Sequence, residues 1–200
     1  MKFKYGLNII KELYLFELES KDRINNKVTV PIGIIVLLVG ALVFFSKDLK
    51  NIEMNGTGII FFIFYAAYII TILVTIIFVV LSYYNYKYRT LPTEKSLDAE
   101  ITRVIDYYEA NYVAHFSKYQ KENLIQDNVD KRMYNHYLKA TEKNRILNAK
   151  KNRYLRLSGY SIVISLGILC GLFIFYQLSF NEDPIKIHIS NIKEVKINHE

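Results

Sequence analysis

A single cysteine, Cys170, excludes a disulfide framework and a thiolate metal cluster; inside an apolar run it is expected to act as a small hydrophobe. Eight scattered glycines are too few for a phosphate-cradling loop. No G-x-G-x-x-G, P-loop, G-x-S-x-G, C-x-x-C or H-x-x-x-H pattern occurs. The histidines, His115, His136, His188 and His199, lack metal-ligand spacing. No paired acid, base or nucleophile stands in a recognisable context, so neither an enzyme nor a cofactor is expected. Charge is also absent from three long runs, 28–45, 58–81 and 160–180, which contain no Asp, Glu, Lys, Arg or His. Proton-coupled transporters and intramembrane enzymes keep ionisable groups at membrane depth, so this absence argues against both. A pore gated by a hydrophobic constriction needs no such group.

What the chain does have is those runs themselves. At 18, 24 and 21 residues they approach the ~20 helical residues that cross a bilayer core of ~30 Å. Buried helices of water-soluble proteins rarely stay apolar on every face for so long. Pro31 falls in the opening turn of the first run, where a missing N–H costs least. The 27 residues before it carry mixed charge, and Val-Phe-Phe-Ser-Lys closes it, so a cleaved leader is not expected. The fold class implied is an all-α integral membrane protein, with three transmembrane helices and a cytoplasmic helical segment between the second and third. Its parts are a lead (1–27), a first span (28–45), an outer loop (46–57), a second span (58–81), a cytoplasmic helical domain (82–159), a third span (160–180) and an outer tail (181–200).

Orientation follows from Lys and Arg, which collect on the cytoplasmic side. Six lie in the lead, two in the 46–57 loop, fifteen in 82–159 and three in the tail. For three spans the consistent assignment is N-terminus inside and C-terminus outside. Tyr83, Tyr84, Tyr86 and Tyr88 after the second span, with Tyr160 and Tyr176 near the ends of the third, suit an interfacial aromatic belt.

Phe3, Leu7, Ile10, Leu13, Tyr14, Phe16 and Leu18 recur at helical spacing among charges, predicting an amphipathic helix that lies on the membrane or packs on the cytoplasmic domain. Asn55-Gly56 and Gly58 read as a turn joining the first two spans. Leu91-Pro92-Thr93 breaks the chain and offers Thr93 as a helix cap; periodicity then continues through Leu97, Ile101, Val104, Ile105, Tyr108, Tyr112, Phe116 and Tyr119. A second helix is predicted from about Asn123. An unbroken rod from 93 to 158 would measure about 100 Å, so a break is expected, with Gln126-Asp127-Asn128 as its place. The alternation Ile185, Ile187, Ile189 suits a short strand, or else a disordered tail.

Two sets of residues are candidates for function. Small residues let helices approach within lipid: Ser161-x-x-x-Ser165 and Gly167-x-x-x-Gly171 in the third span, and Ala67, Thr71 and Thr75 in the second. They point to a homo-oligomer, or to packing inside one three-helix bundle. Three spans enclose no roomy pore, so conduction would require several copies. The second set is Lys139, Lys143, Arg145, Lys150, Lys151, Arg153 and Arg156, opposed in that stretch by Glu142 alone. It reads as a polybasic segment held by anionic membrane lipids, at about 1 kcal/mol per basic residue. The sharper reading is an anion site: Asn144, Asn148 and Asn152 recur beside the bases, and Tyr134, Tyr137 and Tyr154 could stack nucleobases.

The lead ending Glu17-Leu-Glu-Ser-Lys-Asp, the pair of spans, the exit Tyr83-Tyr-Asn-Tyr-Lys-Tyr-Arg, the Leu91-Pro-Thr helix start and the basic helix feeding a last span resemble small bacterial membrane effectors of antiviral systems. The SLATT group, with the Hailong-type membrane subunit, is the family meant. SLATT proteins are usually described by two spans, and this chain has a third. The resemblance implies a pore-forming effector in the bacterial inner membrane, held or released by a nucleotide or oligonucleotide signal that a partner protein makes. The alternative is a non-conducting membrane anchor or sensor subunit that recruits a soluble partner through residues 93–157.

Overall fold

A computed structural model of the protein describes residues 2–52, 54–84, 86–112 and 117–180. Among them there is no strand: α1 is Lys2–Lys27, α2 Thr29–Ser46, α3 Gly56–Tyr83, α4 Glu94–Tyr112 and α5 Lys118–Phe180, with a short 3-10 turn at Leu49–Asn51. Three helical stretches, Phe3–Asn51, Gly56–Tyr83 and Lys118–Ser179, are long and apolar enough to cross a membrane. Their outer faces leave Leu37, Ile63 and Val163 largely uncovered. An apolar belt of that extent is consistent with a membrane location, because a soluble surface rarely carries one.

The amphipathic lead packs on α5. Ile10, Tyr14 and Ile24 are buried on one face of α1, with Tyr14 edge-on to Tyr137 and Phe3 edge-on to Tyr134. The two helices run parallel. Val28, itself helical in backbone, joins α1 to α2, and Pro31 explains the seam: proline has no N–H to return to the Lys27 carbonyl, and its ring crowds that oxygen. Thus α1 with α2 forms one rod and α5 another, each passing from a polar half into an apolar half.

Asn55 caps α3, its Oδ1 accepting the Gly58 N–H at 2.8 Å, and α3 then runs back along the apolar halves of both rods. The core lies at the apolar end: Leu38, Phe45, Phe61, Tyr68, Ile72 and Leu172 are buried together. The Tyr68 hydroxyl donates to the Leu38 carbonyl at 2.9 Å, and Tyr176 donates to the Asp48 carboxylate at 2.6 Å. Among the described residues these side chains fill the centre of the bundle.

The expected break is elsewhere. Helix α4 ends at Tyr112 and α5 begins at Lys118, while Gln126, Asp127 and Asn128 sit within α5, which continues for 63 residues or about 95 Å. Its start is a capping box: Ser117 Oγ accepts the Gln120 N–H at 3.3 Å and Gln120 Oε1 accepts the Ser117 N–H at 3.1 Å. No break forms at 126–128 because those polar groups have helical partners, Gln126 bonding Asp130 and Asn128 bonding Tyr108 of α4. The separate helix expected from Asn123 and the span expected from 160 are parts of this single rod. The strand expected at 185–189 lies outside the described residues, as do His115, His188 and His199.

Helix α4 is tied to α5 by Glu100, which meets Arg132 at 3.1 Å and His136 at 2.9 Å. The His136 hydrogen bond, against the opposing effect of burial and with help from Arg132, holds the Glu100 carboxyl below its ordinary value of 4.5. A depressed folded value stabilises above pH 4.5, and that contribution is lost as pH falls through the lowered value. Glu100→Gln is expected to speed amide exchange of residues 94–112 about fivefold at neutral pH, the equivalent of about 1 kcal/mol, and to leave residues 140–158 unchanged. Acidification should loosen α4 in the wild type and add little in the variant.

Candidate functional site

The small residues of the spans are divided between two surfaces. Thr71, Thr75, Ser161 and Ser165 meet where α3 crosses α5. The Thr75 and Ser161 hydroxyls are 2.7 Å apart, Ser161 Oγ donates to the Thr71 carbonyl at 3.2 Å, and Ser165 Oγ returns to the Ser161 carbonyl. Thr75 and Ser165 are fully buried. These hydroxyls therefore pack one chain's own bundle, with Ala67 at its margin. The glycines part company. A Cβ on Gly171 would stand 2.6 Å from Phe64 Cε1, whereas one on Gly167 would meet nothing within 4 Å. Gly33 and Gly40 on α2 are similarly open.

The basic set divides as well. Lys139, Lys143, Arg145, Lys150, Arg153 and Arg156 are exposed, but Lys151 is only 3% exposed. Its ammonium donates to Asn25 Oδ1 and lies over the rings of Tyr86 and Tyr88, 5.4 and 5.7 Å from their centroids. Burial first, then the nearby Lys21 charge, pulls the Lys151 pKa below its ordinary value, against the attraction of Asp22. Burial also pushes the Tyr88 phenol up to about 12, with Tyr86, Glu17 and Asp22 acting in the same direction.

Asn144 and Asn148 are not presented to a ligand. Asn144 pairs with the Arg89 peptide through both ends of its amide, accepting the N–H at 2.8 Å and donating to the carbonyl at 3.1 Å. Asn148 Nδ2 donates to the Glu17 carbonyl and carboxylate, both at 2.7 Å, and its Oδ1 accepts the Tyr88 hydroxyl at 2.5 Å. Together they clamp the extended segment after α3 between α1 and α5. Only Asn152 of the three is exposed. Tyr134 and Tyr137 are likewise occupied by Phe3 and Tyr14.

Sequence reasoning missed Lys21, Asn25, Tyr86 and Tyr88 as companions of Lys151, and Glu17 as the partner of Asn148. A signal existed: Glu17, Lys21 and Asn25 recur every four residues beside the buried Ile10, Tyr14 and Ile24 of α1. Polar residues along the edge of an apolar stripe mark a paired network. Comparison of the chain with protein-family models, curated proteins and solved structures finds no match in any of the three.

Proposed function

We propose that the protein is an oligomeric membrane effector that forms a gated pore or disrupts the membrane, controlled through its cytoplasmic helices. The observation that carries this reading is the passage of α1–α2 and α5 from polar to apolar halves as two parallel rods. A ligand or partner acting on the polar halves bears directly on the spans, with no flexible link to absorb the change. The basic polar half and tyrosine belt support an N-terminus inside and a C-terminus outside. The filled centre of one bundle, and the open glycines 33, 40 and 167 that offer faces for close approach, support an assembly of copies as the conducting unit. The resemblance to SLATT-type effectors supports bacterial antiviral defence as the setting, with a nucleotide or oligonucleotide as the signal.

Liposomes containing the purified chain should release ions or dye when the triggering partner and nucleotides are supplied. Gly167→Leu should reduce that release at least tenfold while helix content is unchanged. Undiminished release from Gly167→Leu would remove this face from the pore, and a silent wild type under all triggers would favour the alternative of an anchor or sensor subunit. One feature speaks for that alternative: Tyr5, Ile9, Leu13 and Phe16 form an exposed apolar stripe on α1, beside its α5 contact.

A further inference from the structure

Two cavities meet where the polar halves give way to the apolar ones. The first, about 450 Å³, is lined by Lys21, Asn25, Tyr83, Tyr86, Tyr88 and Lys151. Lys21 Nζ stands 5.2 Å and Lys151 Nζ 5.7 Å from the centroid of the same Tyr88 ring. Two ammonium groups thus converge on one ring, and the ion pairs among the described residues, Lys121–Glu109, Arg132–Glu100 and His136–Glu100, involve neither. Asp22 is the carboxylate that acts on Lys151, while Glu17, which with Asp22 bears on Tyr88, is engaged by the Asn148 amide. Like charges held together in a partly desolvated cleft repel, and an anion between them removes that repulsion. The second cavity, about 670 Å³, shares Asn25 and Tyr83 with the first and continues along Val28, Ile32, Val79 and Val80. Its walls there are apolar and belong to the start of α2 and the end of α3.

We propose that these joined cavities bind one anionic phospholipid, its phosphate between Lys21 and Lys151 and an acyl chain along Val28, Ile32, Val79 and Val80. A phosphate oxygen accepts from both ammonium groups, and Asn25 Nδ2 adds a neutral donor while its Oδ1 keeps Lys151 in place. A free phosphate would meet the same cations but has no use for the apolar groove, so the groove assigns the ligand to lipid. The site draws on the α1–α2 junction, the α3 exit and α5, so an occupied cleft bridges all three. It stands whether or not the spans conduct.

Native mass spectrometry of the full chain in detergent, offered dioleoylphosphatidylglycerol or dioleoylphosphatidylcholine, tests this. The anionic lipid should be retained in preference, and Lys21→Met and Lys151→Met should each weaken retention about fivefold. Val80→Trp, which fills the groove, should also lower it, whereas Lys139→Met with Lys143→Met, exposed bases of the same helix, should not. Lys21→Met removes a half-buried charge from the helix surface and keeps the test valid if Lys151→Met does not fold. The proposal is overturned if the site lysines behave like the Lys139 and Lys143 control. It is also overturned if Val80→Trp retains lipid fully while inorganic phosphate displaces it, which would mark a free-anion site.

Discussion

Gly171→Leu is expected to unseat the third span from the second, lowering bundle stability by about 3 kcal/mol. Even a methyl group at this position stands 2.6 Å from the Phe64 ring, closer than packed carbons approach. The ring cannot simply swing aside, because Phe175 lies against it with centroids 5.2 Å apart. A leucine must therefore push α5 away from α3, and the displacement reaches the Thr75–Ser161 hydrogen bond further along the same crossing. The measurement is thermal unfolding in detergent followed by helical circular dichroism, with Gly167→Leu alongside. Gly167 opens outward, so its substitution should leave the midpoint of the isolated chain within about a degree. Equal effects from the two substitutions would show that the α3–α5 crossing is not packed as described. The pair also separates two explanations of lost flux, a broken bundle at Gly171 and a blocked assembly face at Gly167.

Asn148→Leu should have an effect of similar size on the polar half. The substitution leaves the Glu17 carboxylate without its hydrogen-bond donor and the Tyr88 hydroxyl without its acceptor, at a cost of about 3 kcal/mol. The expected readout is faster amide exchange in α1 and in residues 86–93 together, since one amide holds both to α5. Asn152→Leu, four residues on and exposed, should change neither. If Asn148→Leu proves as mild as Asn152→Leu, the clamp contributes nothing to holding the segment.

The long apolar helices were legible because uninterrupted apolar composition is a property of the residues alone: α2 and α3 extend only one or two residues beyond 45, 58 and 81. The amphipathic lead was legible for the same reason, although its stripe does not say whether lipid or α5 receives it. The continuity of α5 was not legible. Gly159 and the switch from basic to apolar residues look like a boundary, yet a helix passes through both, because its backbone hydrogen bonds are indifferent to the solvent on either side. The true boundary carries a capping box at Ser117 and Gln120, a signal less conspicuous in the sequence than the polar Gln126-Asp127-Asn128. Among the candidate residues, the sequence shows which helices carry hydroxyls, glycines and bases but not which way each points. Gly167 and Gly171 are one motif on paper and two surfaces in space. Lys151 differs from its six neighbours only because an extended segment sixty-odd residues earlier lays Tyr86 and Tyr88 over it.

The parallel contact between α1 and α5 also sets an order of events during synthesis. At roughly 10 residues per second, α1 leaves the ribosome on the order of ten seconds before the part of α5 that covers it exists. Through that interval Ile10, Tyr14 and Ile24 have no helix to pack on, and the side chains of Glu17 and Asn25 have not met theirs. The nascent chain therefore spends its early life as a hairpin of α2 and α3 with a sticky amphipathic lead, and α5, made after them, is the helix that completes both ends.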